Sequence, residues 1–133
     1  MDVKVKLFEN VTFQAETRGH TVICDQPLTN NGRDNGMTPP ELLLTSLGTC
    51  AAYYAVQYLR ARQLPTEGLE VDVEAQKATQ PARLGRFAIR VRVPDLEERH
   101  REGVLRAVKS CLIHATLEHK PEITIELGAP ALV

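Results

Sequence analysis

The run Leu42-Leu43-Leu44-Thr45-Ser46-Leu47-Gly48-Thr49-Cys50-Ala51-Ala52-Tyr53-Tyr54 holds no charged residue. It constrains the fold more than any other stretch, because it follows a strong helix start. Thr38 can cap, Pro39 and Pro40 suit a first turn, and Glu41 stands at the third position of a capping box. The helix is expected to run to about Leu64, with Arg60 and Arg62 near its C-terminal dipole and Pro65 ending it. A helix apolar on every face must be covered all round, either by its own chain or by another subunit.

The flanking segments change period. Val3, Val5 and Leu7 alternate with Lys4 and Lys6, and Val11, Phe13 and Ala15 alternate with Thr12, Gln14 and Glu16, which predicts two strands. A turn at Thr17-Arg18-Gly19 leads to a third, His20 to Cys24, ending at Asp25-Gln26-Pro27. Leu28 to Met37 offers little to bury and is expected as a surface loop of functional length. Beyond the helix, Leu69, Val71, Val73 and Ala75 and then Phe87, Ile89, Val91 and Val93 predict an antiparallel hairpin. Acids on the wet face of its first strand would oppose arginines on the second.

Asp95 and Glu98 predict a second capping box. Val104, Leu105, Val108, Cys111, Leu112 and Ala115 follow at helical spacing, so Cys111 is expected on the buried stripe of a second helix. Ile123, Ile125 and Leu127 predict a closing strand. The expected architecture is α+β, in one domain over residues 1–133, with antiparallel strands around the long apolar helix.

A net charge of -1 removes the electrostatic case for nucleic acid, which needs a concentrated basic face. The N-terminus alternates charge and apolarity, and no apolar run approaches the roughly 18 residues of a membrane span. The expectation is a cytoplasmic protein without membrane partners. Three widely spaced cysteines are not a disulfide scaffold, and in a reducing compartment each is reactive, metal-bound or simply buried.

Cys50 has two readings, a small core hydrophobe or a nucleophile. Ser46 and Tyr54, one turn to either side, place hydroxyls on its face that suit a thiolate or a peroxide oxygen. Cys111, set among aliphatics, reads by itself as core, and Cys24 as structural. Cys111 and His114 form a C-x-x-H pair that could begin a metal site, but no second pair completes four ligands, so no metal is expected. Phosphate-loop, nucleophile-elbow and zinc-helix motifs are also missing. A thiol in an apolar pocket needs a cation or donors to ionise. Arg18, in its tight turn, and Arg33, in the long loop, are the candidates. Glu41 could orient such an arginine, or serve only as the capping acid. Nine residues at roughly 100° each put Glu41 and Cys50 on opposite sides of one helix.

Four separated segments resemble the OsmC/Ohr-like proteins. They are Arg18-Gly19-His20 with Asp25-Gln26-Pro27, Thr38 through Cys50, Cys111-Leu112-Ile113-His114-Ala115-Thr116-Leu117, and Pro121-Glu122-Ile123-Thr124-Ile125. The resemblance implies an intertwined homodimer with an active site at each subunit interface, which would cover the apolar helix. It also implies a cysteine peroxidase of oxidative-stress defence. Cys50 would attack an organic hydroperoxide and become a sulfenic acid, and Cys111 would resolve it as a disulfide. No cofactor would be bound; external dithiols, lipoylated proteins among them, would act as reductant. Arg18 would be the first choice to stabilise the thiolate. The chain departs from the Ohr enzymes in placing Glu41 nine rather than ten residues before Cys50, and Leu112 where proline is common. It stands closer to the OsmC-like branch. The alternative reading is a non-enzymatic protein that binds a small apolar ligand, with both cysteines buried. A weaker third is a metal-binding protein using Cys111 and His114.

Overall fold

A computed structural model describes residues 1–128. Three strands, β1 (Lys4–Glu9), β2 (Thr12–Thr17) and β3 (His20–Cys24), form an antiparallel meander in sequence order. A 3₁₀ turn at Leu28–Asn30 follows, then the long helix α1 (Pro39–Ala61), the hairpin β4 (Glu70–Ala78) and β5 (Arg83–Arg92), and two helices, α2 (Glu98–Lys109) and α3 (Leu112–Glu118).

The start of α1 forms as its residues dictate. Thr38 Oγ1 accepts the Glu41 N–H, while Glu41 Oε1 accepts the Thr38 N–H at 2.9 Å and its hydroxyl at 2.7 Å. Leu47, Ala51, Ala55 and Leu59, four apart, make the stripe that α1 buries. Ala51, Ala55 and Leu59 pack with Val104 and Val108 of α2, with Val71, Ile89 and Val91 of the hairpin closing over them. Gly48 admits the hairpin closely, since a Cβ there would stand 3.0 Å from Val73 Cγ2. The other faces of α1 stay open within the chain: Leu42, Leu43 and Leu44 are half-buried, and Tyr53 is 58% exposed.

The hairpin pairs as its alternation predicts. Glu70 lies opposite Arg92 and Asp72 opposite Arg90, and the Arg92 guanidinium binds both Glu70 and Asp72. β1–β3 pack chiefly on one another, whereas α1 packs on β4, β5, α2 and α3. Residues Val5, Leu7 and Val22 of the N-terminal sheet are exposed.

Three expectations are corrected. The predicted second helix is two, because the chain leaves helical geometry at Cys111 (φ −57°, ψ 131°) and starts again at Leu112. Ser110 and Cys111 are weak helix formers, and the Cys111 side chain is used as a cap. The Asp95–Glu98 capping box does not form: Asp95 takes a turn conformation at φ 56°, and Glu97 precedes α2 without a side-chain cap. Ile123, Ile125 and Leu127 form no strand and are 77%, 92% and 101% exposed. An alternating segment becomes a strand only against a partner edge, and among the described residues this one pairs with none.

Candidate active site

The break between α2 and α3 places a thiol. Cys111 is fully buried, and its Sγ accepts the backbone N–H of His114 at 3.5 Å, at the head of α3. α3 packs against α1, and Cys50 is the neighbour that Cys111 meets there. Burial pushes the Cys111 thiol above its ordinary value. Hydrogen bonding with Cys50, and to a lesser degree the charge of Cys50, act in the same direction, while the N–H groups of His114 and Ile113 pull it down. Both cysteines are free thiols, and Cys50 is half-buried.

The site residues expected beside them are dispersed. Arg18 sits at the exposed tip of the β2–β3 turn, with φ 50°, and its guanidinium bonds nothing among the described residues. Arg33 pairs with Glu9 at 2.6 Å, on the N-terminal sheet. Glu41 is engaged in the cap, where the Thr38 N–H and then the Thr38 hydroxyl hold its carboxyl below the usual range. Within one chain the structure thus brings Cys50 to Cys111, and leaves Arg18, Arg33 and Glu41 on other elements or in other bonds.

Other polar groups have defined places. Asp25 is enclosed and accepts N–H groups from Gln26, Arg33 and Asn35, so the long loop is folded around a carboxylate. Asp25 bonds lower its pKa, Asn35 foremost, and burial opposes them. Cys24 is raised by burial and by the Asp25 charge. Among the described residues no group of three or more His, Cys, Asp and Glu is disposed to hold a metal ion.

A cleft of about 520 Å³ opens between α1, β5 and α3, lined by Leu43, Leu47, Phe87, Ile89 and Leu117 with Arg86, His114 and Glu118 at its polar part. His114 Nε2 lies 3.0 Å from Glu118 Oε1. The His114–Glu118 pair was legible only as an i, i+4 spacing on a helix. The C-x-x-H reading drew attention instead to Cys111, whose sulfur bonds the His114 backbone rather than its ring.

The profile of the family described as OsmC-like protein matches residues 32–126, more than half of the chain. The chain belongs to the OsmC-like family. Solved structures agree on the fold. An osmotic stress induced and detoxification response protein of Psychrobacter arcticus superposes with a TM-score of 0.79 at 20% identity, over 86% of this chain and 85% of that one. An OsmC-like protein of Mycoplasma pneumoniae gives 0.71 at 21% identity, over 90% and 87%. An organic hydroperoxide resistance protein OsmC of Legionella pneumophila gives 0.65 at 13% identity, over 88% and 89%. No curated protein is significantly similar in sequence. This OsmC-like chain therefore has the α+β fold of those structures, with its antiparallel sheets and helices. No helix among its described residues is long and apolar enough to cross a membrane.

Proposed function

We propose that this OsmC-like protein is a cysteine peroxidase that reduces organic hydroperoxides to alcohols. The observation that carries the reading is the direct neighbourhood of two free thiols from distant parts of the chain, Cys50 on α1 and Cys111 at the head of α3. Cys50 is the attacking thiol, since it is the less buried of the two and shares a face of α1 with the cleft residues Leu43 and Leu47. Its sulfenic acid meets Cys111, the S–S bond forms with loss of water, and a dithiol such as a lipoylated protein returns both sulfurs to thiols. No bound cofactor is needed. Family membership supports this reading, as does the hydroperoxide-resistance description of the Legionella pneumophila structure.

In this reading the protein acts in the cytoplasm as a homodimer. The open faces of α1, the exposed N-terminal sheet and the unpaired segment at Ile123–Leu127 support a second subunit. Arg18 and Arg33, unconnected to Cys50 within one chain, would reach a thiol site from the partner; Glu41 acts as a cap.

The test is consumption of cumene hydroperoxide with a dithiol. The wild-type protein should turn over, Cys50→Ser should fall to the uncatalysed rate, and Cys111→Ser, treated with peroxide before the dithiol is added, should stop at the Cys50 sulfenic acid after one equivalent. A wild-type rate equal to that of Cys50→Ser sinks the reading. The second reading, a binder of small apolar ligands, is favoured by the leucines, Ile89 and Phe87 that line part of the cleft. Mass spectrometry after stoichiometric peroxide separates them, because only the peroxidase yields a Cys50–Cys111 disulfide.

A further inference from the structure

The cleft and the thiol pair share one geometry. Leu43, Leu47 and Cys50 follow i, i+4 and i+7 spacing, so they lie on one face of α1. Along α3 the order is opposed: Cys111 is beside Cys50, while His114, Leu117 and Glu118 line the cleft with Leu43 and Leu47. His114 is one helical turn beyond Cys111 on α3 and lines the cleft, which has room for an apolar hydroperoxide tail. Its side chain is 26% exposed, and Glu118 holds its Nε2. The other ring nitrogen, Nδ1, has no partner among the described residues.

We propose that His114, positioned by Glu118, is the proton donor to the alkoxide that leaves when Cys50 attacks a hydroperoxide; this rests on the peroxidase reading above. The Cys50 thiolate attacks the terminal oxygen, an S–O bond forms and the O–O bond breaks. Sulfur is oxidised by two electrons and the peroxide is reduced. The hydroxyl remains on sulfur as the sulfenic acid, and the leaving RO⁻ takes the proton from Nδ1 of the imidazolium. His114 is left neutral with Nε2–H donating to Glu118 Oε1, and solvent restores the proton. The remaining ionisable groups here do not serve. Arg86 of β5 does not give up its proton. α1 contributes leucines to the cleft, and Cys50 and Cys111 are the reacting thiols.

The test compares leaving groups. Reduced protein is mixed rapidly with one equivalent of either tert-butyl hydroperoxide, whose alkoxide needs a proton, or peracetic acid, whose acetate does not. Disulfide formation is followed by quenched mass spectrometry. His114→Gln should lose roughly 10²-fold on the alkyl hydroperoxide, the lower range for general acid catalysis, and far less on the peracid. Glu118→Gln, at a side chain 64% exposed and so tolerant of change, should show the same selectivity with a smaller loss. Equal losses on both oxidants, or none on either, overturn the assignment. If His114→Gln does not fold, absence of selectivity in Glu118→Gln overturns it. A wild-type rate no higher than that of Cys50→Ser removes the peroxidase reading and this inference with it; a fast wild type with unselective variants removes the inference alone.

Discussion

Asp25 shows how one buried charge organises a segment that has almost no hydrophobic residues to anchor it. Its carboxylate takes N–H donors from Gln26, Arg33 and Asn35, at 2.8, 3.2 and 3.0 Å, while the Asp25 N–H reaches the Met37 carbonyl at 3.2 Å. The loop is thereby tied to β3 just before α1 begins. Because folding lowers the Asp25 pKa, the ionised form is favoured in the native state. That stability is present above the unfolded carboxylate value of about 3.9 and is lost as pH falls through the lower folded value. Thermal melts from pH 7 to about pH 2 should show a steep acid limb in the wild-type protein. In Asp25→Asn that limb should be shallower, and the melting temperature at pH 7 lower. An unchanged acid limb would refute the assignment. Glu41 and Glu118 are lowered too and add to the same limb, so the variant flattens it without abolishing it.

The packing of α2 on α1 depends on a missing side chain. A Cβ on Gly103 would stand 2.2 Å from Tyr58 Oη, and this hydroxyl is hydrogen-bonded to His100 Nδ1 at 3.2 Å while Arg62 lies 3.7 Å over the ring. Gly103→Ala gains helix propensity of about 1 kcal/mol. It must also displace a stiff aromatic ring and break its bond, and overpacking costs about 1–3 kcal/mol. Urea denaturation should give a net loss of stability, and a more stable variant would contradict the packing. Some elements were legible because pattern and neighbours agree. The capping box of α1 and the β4–β5 hairpin follow from local residues, and the Glu70–Arg92 pair was visible as opposed charge on the wet face. The division of α2 from α3 was not, because Val104, Val108 and Cys111 continue the helical spacing across the break. Spacing reports which residues want burial, and says nothing about a backbone that turns between two of them.

At the scale of the whole molecule, the apolar surface that one chain leaves open supports the proposed homodimer. Tyr53 on α1, Val5, Leu7 and Val22 on the N-terminal sheet, and Ile123 to Leu127 are all exposed. Exposed apolar residues on several elements are what a subunit interface would cover, and an alternating segment that pairs with no strand among the described residues is ready to join a sheet edge. Sedimentation should give about twice the 14.8 kDa chain mass. Ile125→Lys, which adds a charge to that segment without touching the core of the chain, should shift the protein toward monomer or weaken the dimer by at least tenfold in dissociation constant. A wild-type protein that sediments as a monomer at micromolar concentration would exclude the assembly.

Sequence by itself determined the three N-terminal strands, the long helix and the hairpin after it, in that order, since alternation, helical spacing and a capping box are local signals that need no partner to be read. It also marked Cys50 and Cys111, and the resemblance to the OsmC/Ohr-like proteins agrees with the family the chain belongs to. Only the tertiary structure decided that Cys111 leaves its helix to cap the next one beside Cys50, that Arg33 pairs with Glu9, and that His114 turns to Glu118. The reason is that chemistry depends on distances between residues far apart in the chain. Those distances are set by how α3 folds back along α1, which no local pattern encodes.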